Sequence, residues 1–97
     1  NQQKVVLAKW LGAQCKILIF DEPTRGIDIR GRLEVYRIMK ELLEQGVAIL
    51  MLTSDYSEAL SMSHRVAVLH HGSIRKIFNR GEAMEDDILR VAIGATA

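Results

Sequence analysis

The 97-residue sequence predicts an α/β fold, and three observations carry that prediction. Short apolar runs of strand length recur at 17–20, 47–52 and, within 65–70, at 66–69. Stretches with helical spacing lie between them, the order expected of strands joined by helical crossovers in one layer. The first run, Ile17-Leu18-Ile19-Phe20, meets Asp21-Glu22-Pro23 directly. A proline cannot continue a central strand. Two acids are thus expected at the carboxyl end of a buried strand, where open α/β sheets bind ligands.

Residues 2–11 are good helix formers, with Val5, Val6 and Leu7 spaced from Trp10 and Leu11 by helical steps, and Gly12 as terminator. The strand at 16–20 follows. Thr24–Asp28 is a loop, and Asp28 is placed to cap a helix over 29–45. On that helix Ile29, Leu33, Tyr36, Met39 and Leu43 are expected to face inward, with Arg30, Arg32, Lys40 and Glu44 wet. Gly46 ends it. The run 47–52 is a second buried strand. Thr53, Ser54 and Asp55 open a short helix, Asp55 and Glu58 having the spacing of a capping box. A third strand at 65–70 turns at His71-Gly72-Ser73 and pairs back over 74–78 as a hairpin. After Gly81 a last amphipathic helix is expected over 82–93, with Met84, Ile88, Val91 and Ala92 inward.

Composition narrows the function classes. At 48% hydrophobic residues the chain can fill a globular core. Thirteen basic and twelve acidic residues leave a formal charge of +1, which gives no support for nucleic acid or a charged membrane surface as main partner. The longest uninterrupted apolar run, Val47–Leu52, is far below the ~20 residues that span a bilayer. Cys15 is the single cysteine, so no internal disulfide can form. The chain opens on Asn1 in what reads as mid-helix, without a start methionine or cap. It is therefore read as a piece of a longer protein.

The chemistry concentrates on Asp21 and Glu22. One carboxylate there can hold a magnesium ion, and the other can activate a water for attack on a phosphate. Three further pieces lie at fitting distances: Asn1-Gln2-Gln3-Lys4 opening the preceding helix, Arg25-Gly26-Ile27-Asp28 after the acids, and Thr53-Ser54-Asp55 closing the next strand. The histidines are weaker leads. His70 and His71 are adjacent, so in a strand they would face opposite ways, which argues against a shared metal. His64, Trp10 and Cys15 read as structural residues, and Arg25 as a solvated loop cation.

Together these pieces resemble the ATP-binding-cassette (ABC) ATPases. The likeness is greatest to the second cassette of the tandem ATPase subunits in bacterial monosaccharide importers of the ribose, galactose and xylose type. In that family a Leu-Ser-Gly-Gly signature continues as Asn-Gln-Gln-Lys, matching Asn1–Lys4, and Asp-Glu-Pro-Thr-Arg-Gly-Ile-Asp matches Asp21–Asp28. The resemblance covers essentially the whole chain. It implies a partial P-loop NTPase (ABC ATPase) three-layer fold that lacks the P-loop strand. Residues 1–97 would then be the C-terminal part of one ABC ATPase domain, from the signature helix onward, with parallel strands and a C-terminal β-hairpin and helix.

Roles follow one residue at a time. By resemblance Asp21 is the Walker B aspartate, contacting Mg²⁺ through water. Glu22 is the catalytic carboxylate that polarises the attacking water. Asp28 is the D-loop aspartate that communicates between paired cassettes, a role compatible with helix capping. Asn1, Gln2 and Gln3 follow the signature glycines near the opposing nucleotide, although a solvated helix face explains the glutamines equally well. Most cassettes carry histidine where Ser54 stands. Serine can bond a phosphate or water but cannot carry a proton at neutral pH as imidazole can; a helix cap is its competing reading. The implied cofactors are ATP and Mg²⁺. The implied partners are the missing N-terminal part of the cassette, the paired cassette, a membrane permease and, indirectly, a periplasmic sugar-binding protein. The place is the cytoplasmic face of the bacterial inner membrane.

The phosphate cradle G-x-x-x-x-G-K-[ST] is missing, since no Gly-Lys pair occurs. The 97 residues alone are therefore expected neither to bind ATP tightly nor to hydrolyse it. In the family's sheet the absent strand lies between those matching 47–52 and 65–70, so bare strand edges and self-association or domain swapping are expected. Two other readings compete: a non-transport ABC ATPase, which would be expected to have histidine at Ser54, and a non-catalytic interaction module.

Overall fold

The structure is a computed structural model in which residues 16–94 are described. The helix expected over 2–11 lies outside them. The chain divides into two compact units, Asn1–Leu52 and Thr53–Ala97.

The first unit is built on β1 (Ile17–Asp21), α1 (Ile29–Glu44) and β2 (Ala48–Leu52). The strands pair in parallel, Ile17 opposite Ala48 through Asp21 opposite Leu52. Parallel neighbours require a crossover, and α1 supplies it. The helix starts where Asp28 accepts the Gly31 N–H at 2.8 Å. It stops in a Schellman closure: Val47 N–H donates to Leu42 O at 3.0 Å and Gly46 N–H to Leu43 O at 3.0 Å. Gly46 takes the left-handed φ of +89° that this closure needs. On the exposed side of α1, Arg37 pairs with Glu34 and, at 2.6 Å, with Glu41. The neighbouring carboxylates of Glu34 and Glu41 raise the affinity of the Arg37 guanidinium for its proton.

The core of this unit is Leu18, Phe20, Val35, Ile38, Met39 and Leu42. Two expectations fail here. The inward face of α1 is Val35-Ile38-Met39-Leu42, whereas Ile29 is 77% and Leu33 61% exposed and Leu43 is exposed too. The helix carries more apolar residues than one face can hold, with two overlapping sets at helical spacing. Periodicity alone cannot say which of them meets the sheet. The strands are also not buried on both sides. Burial alternates along β1, leaving Ile17 67% and Ile19 65% exposed. Leu50 and Leu52 are exposed in the same way on β2. Among the described residues of this unit, one helix covers one sheet face.

The second unit holds α2 (Tyr56–Met62), β3 (Arg65–His70), β4 (Ser73–Asn79) and α3 (Glu85–Ala92). β3 and β4 form the expected antiparallel hairpin. Its loop is His71-Gly72, at φ +50° and +79°, the left-handed pair that a two-residue hairpin loop requires. The register shifts between Val68 and Leu69, leaving Arg75 unopposed. One hairpin face packs Val68 and Phe78 against Ile88 and Val91 of α3, with Tyr56 and Leu60 of α2 alongside. The other face leaves Leu69, Ile74 and Ile77 exposed. The four described strands make two separate sheets, one in each unit.

Two details of the sequence reading are corrected in this unit. α3 begins at Glu85 rather than Glu82, and Met84 is 76% exposed instead of inward. Glu82 closes the preceding turn, its carboxylate accepting the Asn79 N–H at 2.6 Å. Asp87 instead takes the Met84 N–H at 2.8 Å and so marks the first turn of α3. The two histidine rings do not face opposite ways, because His71 lies in the turn and not in the strand. Their centroids are 4.1 Å apart. His70 Nδ1 lies 2.9 Å from the Ala92 carbonyl at the end of α3.

Candidate functional site

Asp21 is the last residue of β1 and is exposed. Its position follows from the chain: the apolar run makes the strand, and Pro23 prevents its continuation two residues later. Glu22 comes next and leaves the strand sharply. Its φ is +48°, an uncommon left-handed conformation for a residue with a Cβ. Its N–H still donates to Leu52 O at 2.7 Å, one rung beyond the ladder. The two carboxylates therefore stand at the carboxyl end of a parallel pair, with the second one's backbone turned away and clamped to β2.

From Glu22 to Asp28 the chain runs through two linked turns. Arg25 N–H donates to Glu22 O at 3.2 Å, and Ile27 N–H donates to Thr24 O at 3.2 Å. Pro23 occupies the second position of the first turn, where its fixed φ is favoured. Gly26 occupies the third position of the second turn at φ +71°. Pro23 and Thr24 are buried, so the middle of the loop is anchored. Asp28 ends it as the exposed cap of α1.

In the second unit, Thr53 Oγ1 accepts the Asp55 N–H at 3.0 Å, and the Asp55 carboxylate accepts the Glu58 N–H at 3.0 Å. Asp55, not Ser54, is the helix cap, and this removes capping as the explanation of Ser54. The Ser54 side chain is exposed. Asn1, Gln2 and Gln3 lie outside the described residues.

Chemically, Asp21 and Glu22 supply two oxygen-donor groups on successive residues. Among the described residues no three His, Cys, Asp or Glu side chains gather as a metal cage. A single exposed carboxylate at Asp21 does suit magnesium, which keeps several waters and takes one or two protein carboxylates plus phosphate oxygens. A shallow cleft of about 200 Å³ in the second unit is lined by Lys76, Phe78, Glu82, Asp87 and Arg90. Glu82 and Asp87 there already hold main-chain N–H groups, so the cleft is bound up with the structure of the turn and of α3.

Three participants escaped the sequence reading. The Leu52 carbonyl clamps Glu22, and no side-chain pattern announces a main-chain acceptor. Gly26 supplies the left-handed turn, and its signal was present in a Gly between Arg25 and Ile27. Arg80 donates to the Ser61 and Ser63 carbonyls at 3.3 and 3.1 Å, holding the end of α2; nothing near it in sequence marks that role.

No helix of the described residues is long and apolar enough to cross a membrane. No family model matches the chain. Individual relatives do. The chain is 49% identical over 94 residues to the ribose import ATP-binding protein RbsA of Lactococcus lactis subsp. cremoris. It is 52% identical over 94 residues to the protein of that name from Shouchella clausii, and 52% to that from Hahella chejuensis. In each case 97% of this chain is covered but only 19% of the relative, so the chain spans about a fifth of the length of the proteins it matches. Along nearly its whole length, and with the acid pair set at the end of a parallel strand, the chain is thus similar to a section of the ribose import ATP-binding proteins.

Proposed function

We propose that this chain carries the water-activating half of an ATP hydrolysis site in an ABC ATPase that drives uptake of a monosaccharide. The observation behind this reading is the Asp21-Glu22 pair at the carboxyl end of β1, with Glu22 clamped through its N–H to Leu52. Identity of about 50% to ribose import ATP-binding proteins along nearly the whole chain supports it.

Bound magnesium would supply Lewis-acid polarisation of the phosphate oxygens and neutralise developing charge. Asp21 would hold it, through water. Glu22 would accept a hydrogen bond from the attacking water and orient it, the task a positioned carboxylate performs in phosphoryl transfer. Ser54 can bond a phosphate oxygen or that water but cannot take its proton at neutral pH. Asp28 would lie toward a paired cassette, and Asn1, Gln2 and Gln3 near the opposing nucleotide. The grip on the phosphates would come from polypeptide outside these residues, since no phosphate cradle occurs in them. The partners would be that polypeptide, a second cassette and a membrane permease fed by a periplasmic sugar-binding protein. The subunit would work at the cytoplasmic face of the inner membrane.

The test is Glu22→Gln in the full-length subunit. Hydrolysis should fall by about 10²-fold or more while nucleotide binding survives, because the amide keeps the shape and loses the base. Unchanged turnover would remove Glu22 from the chemistry. The isolated 97 residues should show no magnesium-dependent ATP turnover above buffer.

A further inference from the structure

We infer that Gly26 is a positioning residue for the acid pair, acting through the backbone of Glu22. This rests on the reading of Glu22 as the water-orienting carboxylate. Between Asp21 and Asp28 the chain has two residues in the left-handed region, Glu22 at φ +48° and Gly26 at φ +71°. They are joined by two turns that meet at Thr24, one closed on the Glu22 carbonyl and the other on the Thr24 carbonyl. Everything around them is tied down. Glu22 N–H is held by Leu52 O at 2.7 Å, Pro23 and Thr24 are buried, Ile27 packs on the core, and Asp28 is fixed as the cap of α1.

Such a bracket closes only if its second turn reverses the chain with a left-handed residue in the third position, which glycine adopts without steric penalty. A Cβ at position 26 would meet no atom within 4 Å. Space is therefore not what demands glycine there; the backbone angle is. If that angle is lost, the second turn opens and the strain moves along the bracket. Glu22 stays clamped at its N–H, but its carbonyl side closes the first turn and its backbone already holds a conformation that non-glycine residues avoid, so the strain is relieved there. Its carboxylate would then swing from its station while Asp21, inside the strand, stays. Gly26 touches no reacting atom in this scheme and only sets where Glu22 points.

The experiment uses the full-length ATP-binding subunit assembled with its permease. It compares wild type, Gly26→Ala, Gly26→Asn and Glu22→Gln for ATP kcat and KM and for thermal midpoint. Asparagine tolerates the left-handed region far better than alanine. Gly26→Ala should lower kcat by about tenfold or more, in line with the cost of misplacing a catalytic group by about an ångström. KM for ATP should stay within about twofold, and Gly26→Asn should recover most of kcat. If Gly26→Ala turns over like wild type, or Gly26→Asn is as impaired as Gly26→Ala, the inference is overturned. Those results leave the role of Glu22 standing. Failure of the underlying reading looks different: Glu22→Gln would then hydrolyse ATP at the wild-type rate.

Discussion

At the scale of the residue, Glu22 meets conflicting demands. The proposed function needs its carboxylate at the strand end, and its backbone is in a region where an L-residue is about 1–2 kcal/mol worse than in its ordinary basins. Removing the side chain in two ways separates these. Glu22→Gly should be more stable than Glu22→Ala by about 1 kcal/mol in urea unfolding, since only alanine keeps the Cβ. Equal midpoints would mean that the left-handed conformation carries no strain. Asp28 is likewise divisible. Asp28→Ala should cost about 1 kcal/mol through loss of the α1 cap, whereas Asp28→Asn keeps an acceptor for Gly31 N–H and should lie near wild type. If Asp28→Asn nonetheless impairs the full-length ATPase, the charge has a task beyond capping. The acids were legible because strand, proline and carboxylates are adjacent in sequence. The Leu52 clamp was not, since it depends on which strand lies beside β1.

Among the elements, the helix ends carry the sharpest contrast. Gly46 and Gly94 both have φ of +89° just past a helix. A Cβ on Gly46 would meet nothing within 4 Å, but one on Gly94 would lie 2.8 Å from Nε2 of His70. That ring is held against the Ala92 carbonyl and beside His71, so it has little room to move. Gly46→Ala should cost about 1 kcal/mol from backbone strain, and Gly94→Ala about 1–3 kcal/mol more from overpacking. Comparable losses for both would show that the His70 ring yields freely. The hairpin turn and the α1 termination were readable from His71-Gly72 and Gly46 because local geometry dictates them. The inward face of α1 was misread because the choice between two apolar stripes belongs to the sheet, not to the helix. The start of α3 was misread because Glu82 and Asp87, both acids near a helix start, divide between a turn and a first helical turn.

Across the whole molecule, each unit leaves apolar surface uncovered. Ile17, Ile19, Leu50 and Leu52 are exposed in the first, and Leu69, Ile74 and Ile77 in the second. Parallel sheets are ordinarily covered on both faces, and open strand edges are templates for association. The isolated 97 residues should therefore self-associate, with a mass by light scattering that rises with concentration. A monomer at all concentrations would count against this. Within the first unit Leu42 is 2% exposed, and Leu42→Ala should cost about 2–5 kcal/mol, enough to threaten folding of so small a core.

By itself the order of residues settled what depends on neighbours along the chain. It placed the strand that ends in two carboxylates, the cap at Asp28, the hairpin loop at His71-Gly72 and the alternation of strands with helices. Only the tertiary arrangement decided which face of α1 meets the sheet and that Glu22 is fastened to Leu52. Capping, turn geometry and periodicity act over a few residues, whereas burial and main-chain pairing join segments some thirty residues apart. Contacts of that range have no signature in any short stretch of sequence.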